Sequence, residues 1–327
     1  MNYCTLFNRN YISNGLVLYN SMIKNSKNHF NLYVLAMDSY TFEYFQNESF
    51  PHLTCINLSD FEDKDLLNVK PTRTFGEYCW TCTPSLISYC LKIYSLDYCI
   101  YLDADLYFFN DPLIVWNEMP IESSVLLTNH NYHPIYDNRF SNGLYCVQYL
   151  GFKNDKNGLI ALNWWKQSCL DWCYSYLDNN RFGDQKYLDD WLTRFNGIHV
   201  VENKGAGLAP WNLELFDLVE ENEPIVIDKI TRQKYKLIFY HFHGFKIFKN
   251  KVRLTEYSYI ISNNFINYIY KPYIKEITSY INLQQLKNYN WIEPIHYHLV
   301  FIKKKLLEIF NLFVKNSQSP FSKIINR

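Results

Sequence analysis

The sequence predicts an α/β fold in which a parallel or mixed β-sheet is flanked by helices. Apolar runs of strand length alternate with helix-length stretches through the first hundred residues, which is the pattern of βαβ units. Residues 31–37 are apolar almost throughout, as expected for a strand that helices cover on both faces. Because such sheets bind ligands beyond the carboxyl ends of their strands, we expect functional residues at 7–11, 38–40 and 103–105.

The predicted elements follow from this alternation of apolar runs and from the capping residues. Ser13 or Asn14 suits the cap of a first helix, and Pro84 suits the first turn of a later one. The predicted strands are 3–7, 31–37, 53–58, 98–102, 125–128, 143–148, 225–228 and 237–241. The predicted helices are 15–24, 41–47, 84–94, 159–177 and 185–195. We expect one catalytic domain at 1–250 and a helical C-terminal extension at 251–327.

Composition narrows the class of protein. Lys and Arg number 32, as do Asp and Glu, so overall charge gives no reason to expect nucleic-acid binding. Nine cysteines lie mostly in apolar runs, and no secretion signal is recognisable, so we expect reduced thiols in a cytoplasmic protein. Cys79 and Cys82 also allow a zinc or redox interpretation, although Cys169 and Cys173 have a different spacing. No run of 18 apolar residues predicts a membrane span.

The strongest chemical signal is the pair Asp103 and Asp105 at the end of the predicted strand 98–102. Side chains two residues apart point the same way if the strand continues. Two adjacent carboxylates repel each other, and a hard divalent cation such as Mn²⁺ or Mg²⁺ relieves that repulsion. The alternative is two solvated residues in a turn, but apolar residues flank the pair on both sides.

Five segments, in this order along the chain, resemble motifs of glycosyltransferases with the GT-A fold, in particular the family-8-like enzymes. They are 4–11 (CTLFNRNY), 101–105 (YLDAD), 140–144 (FSNGL), 182–188 (FGDQKYL) and 241–246 (HFHGFK). Haloacid-dehalogenase-like phosphatases also use an Asp-x-Asp pair, but they place it after an early strand. The late position of the pair in this sequence resembles that of the glycosyltransferases. A glycine-rich turn at 205–212 is similar to a family loop near the donor.

The resemblance implies roles for particular residues. In the family, the Lys that ends the last of these segments contacts the diphosphate. The last segment departs from the pattern, because Lys246 follows Gly244 by two residues instead of three, and Arg73 or Lys92 is another candidate for that cation. The implied metal ligands for Mn²⁺ or Mg²⁺ are Asp103, Asp105 and His241, with His243 as a neighbour. The implied nucleotide-sugar contacts are Thr5, Phe7, Asn8, Tyr11, Asp103, Ala104, Asn142 and Lys246. The implied catalytic residues near the sugar and the acceptor are Asp184 and Gln185.

The resemblance also implies an activity, which is transfer of a sugar, as in the hexosyltransferases, from a UDP-sugar to a glycan or lipid-linked acceptor. Bacterial surface polysaccharide synthesis and retention of anomeric configuration fit this expectation. Alternatives are a metal-dependent phosphatase, a sugar-phosphate nucleotidyltransferase, or an inactive glycan-binding relative. A nucleotidyltransferase would need a glycine-rich basic loop, whereas residues 8–14 hold one Arg and no Gly. Asp184 has a second interpretation, as the cap of the helix predicted after it.

The C-terminal end is basic, with six Lys or Arg and one acidic residue from position 300 onward. Residues 301–315 combine this charge with a wide apolar stripe. Such a helix suits peripheral contact with the inner face of an anionic membrane. Packing on the catalytic domain is the alternative.

Overall fold

The computed structural model describes residues 1–220, 223–248, 251–256 and 259–280, together with the backbone of 290–291. The strands are β1 Asn2–Phe7, β2 Asn31–Ala36, β3 Leu53–Asn57, β4 Tyr98–Leu102, β5 Leu106–Phe108, β6 Val125–Asn129, β7 Tyr145–Lys153, β8 Ile198–Val200, β9 Phe216–Glu220, β10 Pro224–Asp228, β11 Lys234–Lys236, β12 Phe239–His241, β13 Lys246–Phe248, β14 Lys251–Arg253 and β15 Asn290–Trp291. The helices are α1 Ile12–Asn25, α2 Ser39–Asn47, α3 Leu58–Phe61, α4 Lys64–Val69, α5 Phe75–Ile93, α6 Leu113–Trp116, α7 Arg139–Asn142, α8 Lys156–Asp171, α9 Trp191–Arg194, α10 Asn263–Phe265 and α11 Lys271–Tyr280.

A seven-stranded mixed sheet forms the centre of the molecule, in the order β3-β2-β1-β4-β7-β6-β8. Strands β1 to β4 run parallel, which confirms the prediction of an α/β fold. Strand β7 pairs antiparallel with both β4 and β6, so the sheet is mixed rather than purely parallel. One apolar cluster fills each face of the sheet, with α5 and α8 covering one and α1 covering the other. The carboxyl ends of β1 and β4 therefore open at the same edge.

The boundaries of several predicted helices are wrong. Helix α1 begins at Ile12, so neither Ser13 nor Asn14 caps it. The helix predicted from residue 84 begins at Phe75, where Thr74 and Glu77 form a reciprocal capping box, and Pro84 lies inside it. The helix predicted at 159–177 is α8, which Asp155 caps at its start. The helix predicted at 185–195 is a five-residue 3₁₀ turn followed by α9. For α5 and α8, a capping residue upstream of the predicted start decides where the helix begins.

The strand predicted at 237–241 is shorter and belongs to a separate ribbon, in which β12 pairs antiparallel with β5. Strands β9, β10 and β11 form a second small sheet. The predicted boundary at residue 250 lies between β13 and β14, which pair with each other. The two-domain division therefore stays a prediction.

The described part of the predicted extension is helical over 263–280 and packs against the rest of the chain. The Asn14 amide donates to the Tyr273 hydroxyl over 2.9 Å, and the Tyr273 ring stacks on Phe242 with centroids 3.6 Å apart. The basic helix predicted at 301–315 lies outside the described residues. Within the described ranges, no helix combines the length and the apolar character needed to cross a bilayer.

Candidate active site

Asp103 and Asp105 lie in the turn that joins β4 to β5. The backbone N–H of Asp103 donates to the carbonyl of Gln148 over 3.0 Å, and the carbonyl of Asp105 accepts from the N–H of Phe242 over 2.9 Å. The main chain at each aspartate is therefore fixed by a hydrogen bond to a different strand region. The pair is held by the sheet edge and not by a free loop.

His241 reaches the two aspartates because of the pairing between β12 and β5. In that register His241 is opposite Leu106, which immediately follows Asp105. Its Nε2 atom is 3.1 Å from Asp105 Oδ1 and 3.7 Å from Asp103 Oδ2. One potential ligand atom from each of the three residues lies within 4.8 Å of the others. Residues separated by 136 positions thus form one cluster that the sequence predicted.

Gln148 orients the histidine. Its side-chain oxygen is 2.9 Å from His241 Nδ1, and the amide is fully buried. We assign one proton to Nδ1, which donates to this oxygen, so the proton on Nε2, which faces the aspartates, is the one that a metal ion would replace. Gly207 leaves space for the Gln148 side chain, because a Cβ at position 207 would lie 2.8 Å from the Gln148 amide nitrogen. The φ of Gly207, +84°, also favours glycine at this position.

The three groups shift one another's protonation. Burial raises the pKa of Asp103 to about 6, although the His241 charge opposes this and the Asp105 charge adds to it. Burial also acts to raise the pKa of Asp105, but the adjacent imidazolium outweighs it and the net shift is downward. Burial acts to lower the pKa of His241, yet the charge and hydrogen bond of Asp105 raise it well above 6.5. A positive charge is therefore strongly favoured between the carboxylates.

The donor set fits a divalent cation of the Mn²⁺ or Mg²⁺ class. Two carboxylates and one neutral imidazole combine oxygen ligands with a nitrogen ligand, and the nitrogen suits Mn²⁺ better than Mg²⁺. Gln148 supplies the hydrogen bond on the far side of the imidazole that metal-bound histidines require. Replacing the proton on His241 by a metal ion would keep the positive charge that the carboxylates favour.

A cavity of about 590 Å³ opens over this cluster. Of the residues predicted from sequence, it is lined by Phe7, Asn8, Tyr11, Asp103, Ala104, Asp105, Asn142, Asp184, Gln185 and His241. Two predicted residues lie elsewhere. Thr5 is fully buried within β1, and Lys246 lines an adjoining cavity of about 370 Å³ that shares Tyr11 with this one.

Asp184 is held at the inner end of the cavity. The Trp165 indole donates to its carbonyl over 2.8 Å, and Gly183 before it has a φ of +52° and packs beside Trp80. The side chain is 5% exposed. Burial, with the nearby Asp103 charge adding to it, raises the pKa of Asp184 to about 8, while the Thr83 hydroxyl opposes the shift. Asp184 does not cap a helix, because the residue before the 3₁₀ turn is Gln185 and it makes no side-chain cap.

Sequence reasoning did not single out several aromatic and histidine residues that line the cavity. Trp80 comes from α5, His130 and Tyr132 follow β6, and Tyr259 follows β14. A Trp on an apolar helix face gives no signal that distinguishes a cavity wall from core. These residues are Trp80, His130, Tyr132 and Tyr259. The cavity is also lined by His243, which the sequence placed beside His241, and by Trp211 of the glycine-rich turn at 205–212.

The cysteines do not support the zinc interpretation. Among the described residues, the potential metal-ligand clusters are the Asp103 group and a buried trio of Cys4, Cys90 and Cys99. Cys79 and Cys82 form no such cluster with Cys169 or Cys173. The trio lies between β1, β4 and α5 inside the apolar core, where free cysteine packs as a small hydrophobic residue.

Comparison with solved structures identifies the fold. A galactosyltransferase, LgtC, solved with donor and acceptor sugar analogues, superposes with a TM-score of 0.54 at 12% sequence identity. The match covers 85% of this chain and 96% of LgtC. The chain therefore has the GT-A fold, as the sequence predicted.

Comparison of sequences gives the relatives. No protein-family model matches the chain. YfnF of Bacillus subtilis strain 168 is 28% identical over 253 residues, covering 75% of this chain and 82% of YfnF. YfnD of the same strain is 32% identical over 285 residues, covering 86% of this chain and 89% of YfnD. Both relatives are described as uncharacterized proteins. On the strength of this identity and coverage, the chain belongs to the YfnD family.

Proposed function

We propose that this protein is a metal-dependent glycosyltransferase that moves a sugar from a nucleoside diphosphate to an acceptor. The observation that carries the proposal is the cluster of Asp103, Asp105 and His241 at the carboxyl end of β4, in a chain with the GT-A fold. The proposed donor is a UDP-sugar, with a hexose as the transferred group. The proposed acceptor is a glycan or a lipid-linked glycan in bacterial surface polysaccharide synthesis.

A metal ion at this cluster would remove the electrostatic repulsion between the aspartates and a bound diphosphate. Two carboxylates at the centre of the cavity would repel a diphosphate. A divalent cation, when bound, supplies positive charge to the diphosphate as its bond to the sugar breaks. In this proposal Asp103, Asp105 and His241 Nε2 hold the cation. Gln148 keeps the imidazole in the tautomer and orientation that leaves Nε2 free.

The nucleotide end of the proposed site is formed by the turn after β1. Phe7, Asn8 and Tyr11 line the cavity on that side. The Asn8 side chain accepts from the N–H of Asn10 over 3.1 Å, which fixes the turn. An aromatic ring and a fixed polar turn suit a nucleoside, which offers a base to stack and hydroxyls to bind. Ala104 lies between the two aspartates and leaves room for the diphosphate.

The sugar end of the proposed site is formed by Asn142, Asp184 and Gln185, which line the same cavity as the metal cluster. Their amide and carboxyl groups suit the hydroxyls of a sugar. We propose that Asp184 and Gln185 orient the sugar and the acceptor hydroxyl at the reacting carbon. Thr5 has no direct contact in this scheme, because it is buried behind the cavity wall.

Calorimetric titration of UDP into the purified protein tests the proposal, with and without Mn²⁺. We expect binding that requires the metal and is lost in Asp105→Asn. The matched control is Asp190→Asn, because Asp190 is half exposed, pairs with Arg194 and does not line the cavity. Screening UDP-sugars for metal-dependent hydrolysis then identifies the transferred group. Absence of binding by any nucleoside diphosphate with Mn²⁺ would refute the proposal.

A further inference from the structure

The charge distribution of the cavity is one-sided. The described residues that line it include four carboxyl groups and no lysine or arginine. The four are Asp103, Asp105, Asp184 and Glu256. Positive charge can therefore enter this lining as a divalent cation bound at the metal cluster. Asp103, Asp105 and the diphosphate of the donor more than offset its charge, so the described lining has no positive charge left for a further anionic group.

Two cationic side chains that are close in sequence to lining residues are directed to other partners. Arg73 donates to the carbonyl of Leu170 over 3.2 Å and lies 4.0 Å from the centre of the Tyr174 ring. Lys186, although next to Gln185 in sequence, places its ammonium group 2.7 Å from Asp189. Neither side chain lines the cavity.

The cationic side chains near the mouth show the same pattern. Arg9 pairs with Asp38 at 3.2 Å, and Arg253 lies 3.9 Å from the carboxylate of Glu256. Lys246 lines the adjoining cavity on the other side of Tyr11. None of the three lines the cavity above the metal cluster.

Asp184 differs in this respect from two other carboxylates of the chain whose side chains are little exposed. Asp228 has Lys204 as a partner at 2.5 Å, and Glu62 has Lys70 at 2.6 Å. Asp184 has the Thr83 hydroxyl beside it and no cation among the cavity residues. Whether it is ionised or protonated, it offers hydrogen bonds to hydroxyl groups and no positive charge to an anion.

We infer that the sugar transferred from the nucleotide is uncharged, and that a donor whose sugar carries a carboxylate is rejected because the described cavity lining holds no cation to compensate it. This inference rests on the proposed function. It does not depend on which wall of the cavity the sugar meets, because the described lining lacks a cation on every side. Burying an anion without a partner is costly, and that cost discriminates between donors that are otherwise alike.

UDP-glucose and UDP-glucuronate provide the test, because they differ only in the carboxylate at C6. Calorimetry with the Mn²⁺-loaded protein is expected to give at least about tenfold weaker binding of UDP-glucuronate than of UDP-glucose. UDP alone is the reference for the nucleotide. Equal or tighter binding of UDP-glucuronate, with UDP bound, would overturn the inference and leave the proposed function standing. Failure of all three nucleotides to bind would refute the proposed function itself.

A cation introduced into the lining tests the cause. Gly76 is exposed, lines the cavity, and has open space where a Cβ would lie. It lies four and seven residues before Trp80 and Thr83, on the same face of α5. Gly76→Lys is expected to reduce the ratio of the dissociation constants of UDP-glucuronate and UDP-glucose at least about threefold. Gly76→Ala is expected to leave that ratio unchanged. A difference that is the same in both variants would show that charge is not its cause.

Discussion

Gln148 holds two of the candidate metal ligands at once: its carbonyl accepts from the backbone N–H of Asp103 over 3.0 Å, and its side-chain oxygen is 2.9 Å from His241 Nδ1. Because both contacts are buried, the residue couples the position of β4 to that of β12. A side chain that orients a metal-bound histidine commonly changes metal affinity by ten- to a hundredfold when it is removed.

We therefore expect Gln148→Leu to weaken Mn²⁺ binding by about tenfold or more, measured by electron paramagnetic resonance of the free ion. The backbone contact to Asp103 survives in this variant, so the change reports the contact to the imidazole. Gln46→Leu, at an exposed position of α2, is the control and should leave the affinity unchanged. Wild-type affinity in Gln148→Leu would mean that His241 needs no such support.

The protonation of the cluster predicts how metal binding depends on pH. The pKa of Asp103 is raised to about 6 and that of His241 is raised well above 6.5, so protons compete with the metal over the neutral range. We expect the dissociation constant for Mn²⁺ to rise as pH falls from 8 to 5.5, by up to about tenfold per unit for each proton displaced. Affinity that is independent of pH over this range would contradict the assignment.

Proton release provides a second measurement of the same competition. Titrations in buffers with different ionisation enthalpies count the protons released when Mn²⁺ binds. We expect more protons to be released at pH 6 than at pH 8, because Asp103 and His241 are both more protonated at the lower pH. The same experiment on His241→Asn should release fewer protons at pH 6.

The sequence predicted the sheet and the aspartate pair because both depend on local patterns. Apolar strand runs identify β1 to β4, and the two aspartates follow the last of them directly. His241 was reached through a resemblance and not through geometry. The β5–β12 ribbon that brings it to the aspartates joins segments more than a hundred residues apart, and no local pattern reports such pairing.

Gln148 and the aromatic cavity wall could not be predicted for a related reason. A glutamine in an apolar strand gives no signal of its partner, which here is a histidine 93 positions away. The capping box at Thr74, by contrast, is readable from the sequence but was missed: a Thr followed three residues later by Glu is a helix-start pattern. Pro84 is a competing signal for a helix start, but α5 begins earlier, directly after Thr74.

The position of Lys246 predicts that it contributes little to UDP binding, although a lysine is a suitable residue type for contact with a diphosphate. Resemblance assigned it to the diphosphate, but it lines the adjoining cavity beyond Tyr11. A solvent-exposed cation at that distance contributes little to binding. We expect Lys246→Ala to weaken UDP binding in the presence of Mn²⁺ by less than about threefold, whereas Asp105→Asn abolishes it. A loss comparable with that of Asp105→Asn would return Lys246 to the diphosphate site.

Glu77 ties the start of α5 to the segment that leads to Asp184. Its carboxylate accepts from the backbone and hydroxyl of Thr74, each at 2.8 Å, and from the backbone and hydroxyl of Ser175 at 2.7 and 2.9 Å. Burial acts to raise the pKa of Glu77, but these hydrogen bonds outweigh it and lower the pKa to about 2. The ionised form therefore stabilises the folded state.

The sign of the resulting pH dependence follows from this depressed pKa. The stabilisation is complete above the unfolded value of about 4.5 and is lost as pH falls toward 2. We expect Glu77→Gln to lower the free energy of unfolding at pH 7 by about 2–3 kcal/mol, measured by urea denaturation. The difference from the wild-type chain should shrink at pH 3. Glu43→Gln, at an exposed position of α2, should show neither effect, and a Glu77→Gln deficit that persists undiminished at low pH would mean that shape rather than charge links α5 to Ser175.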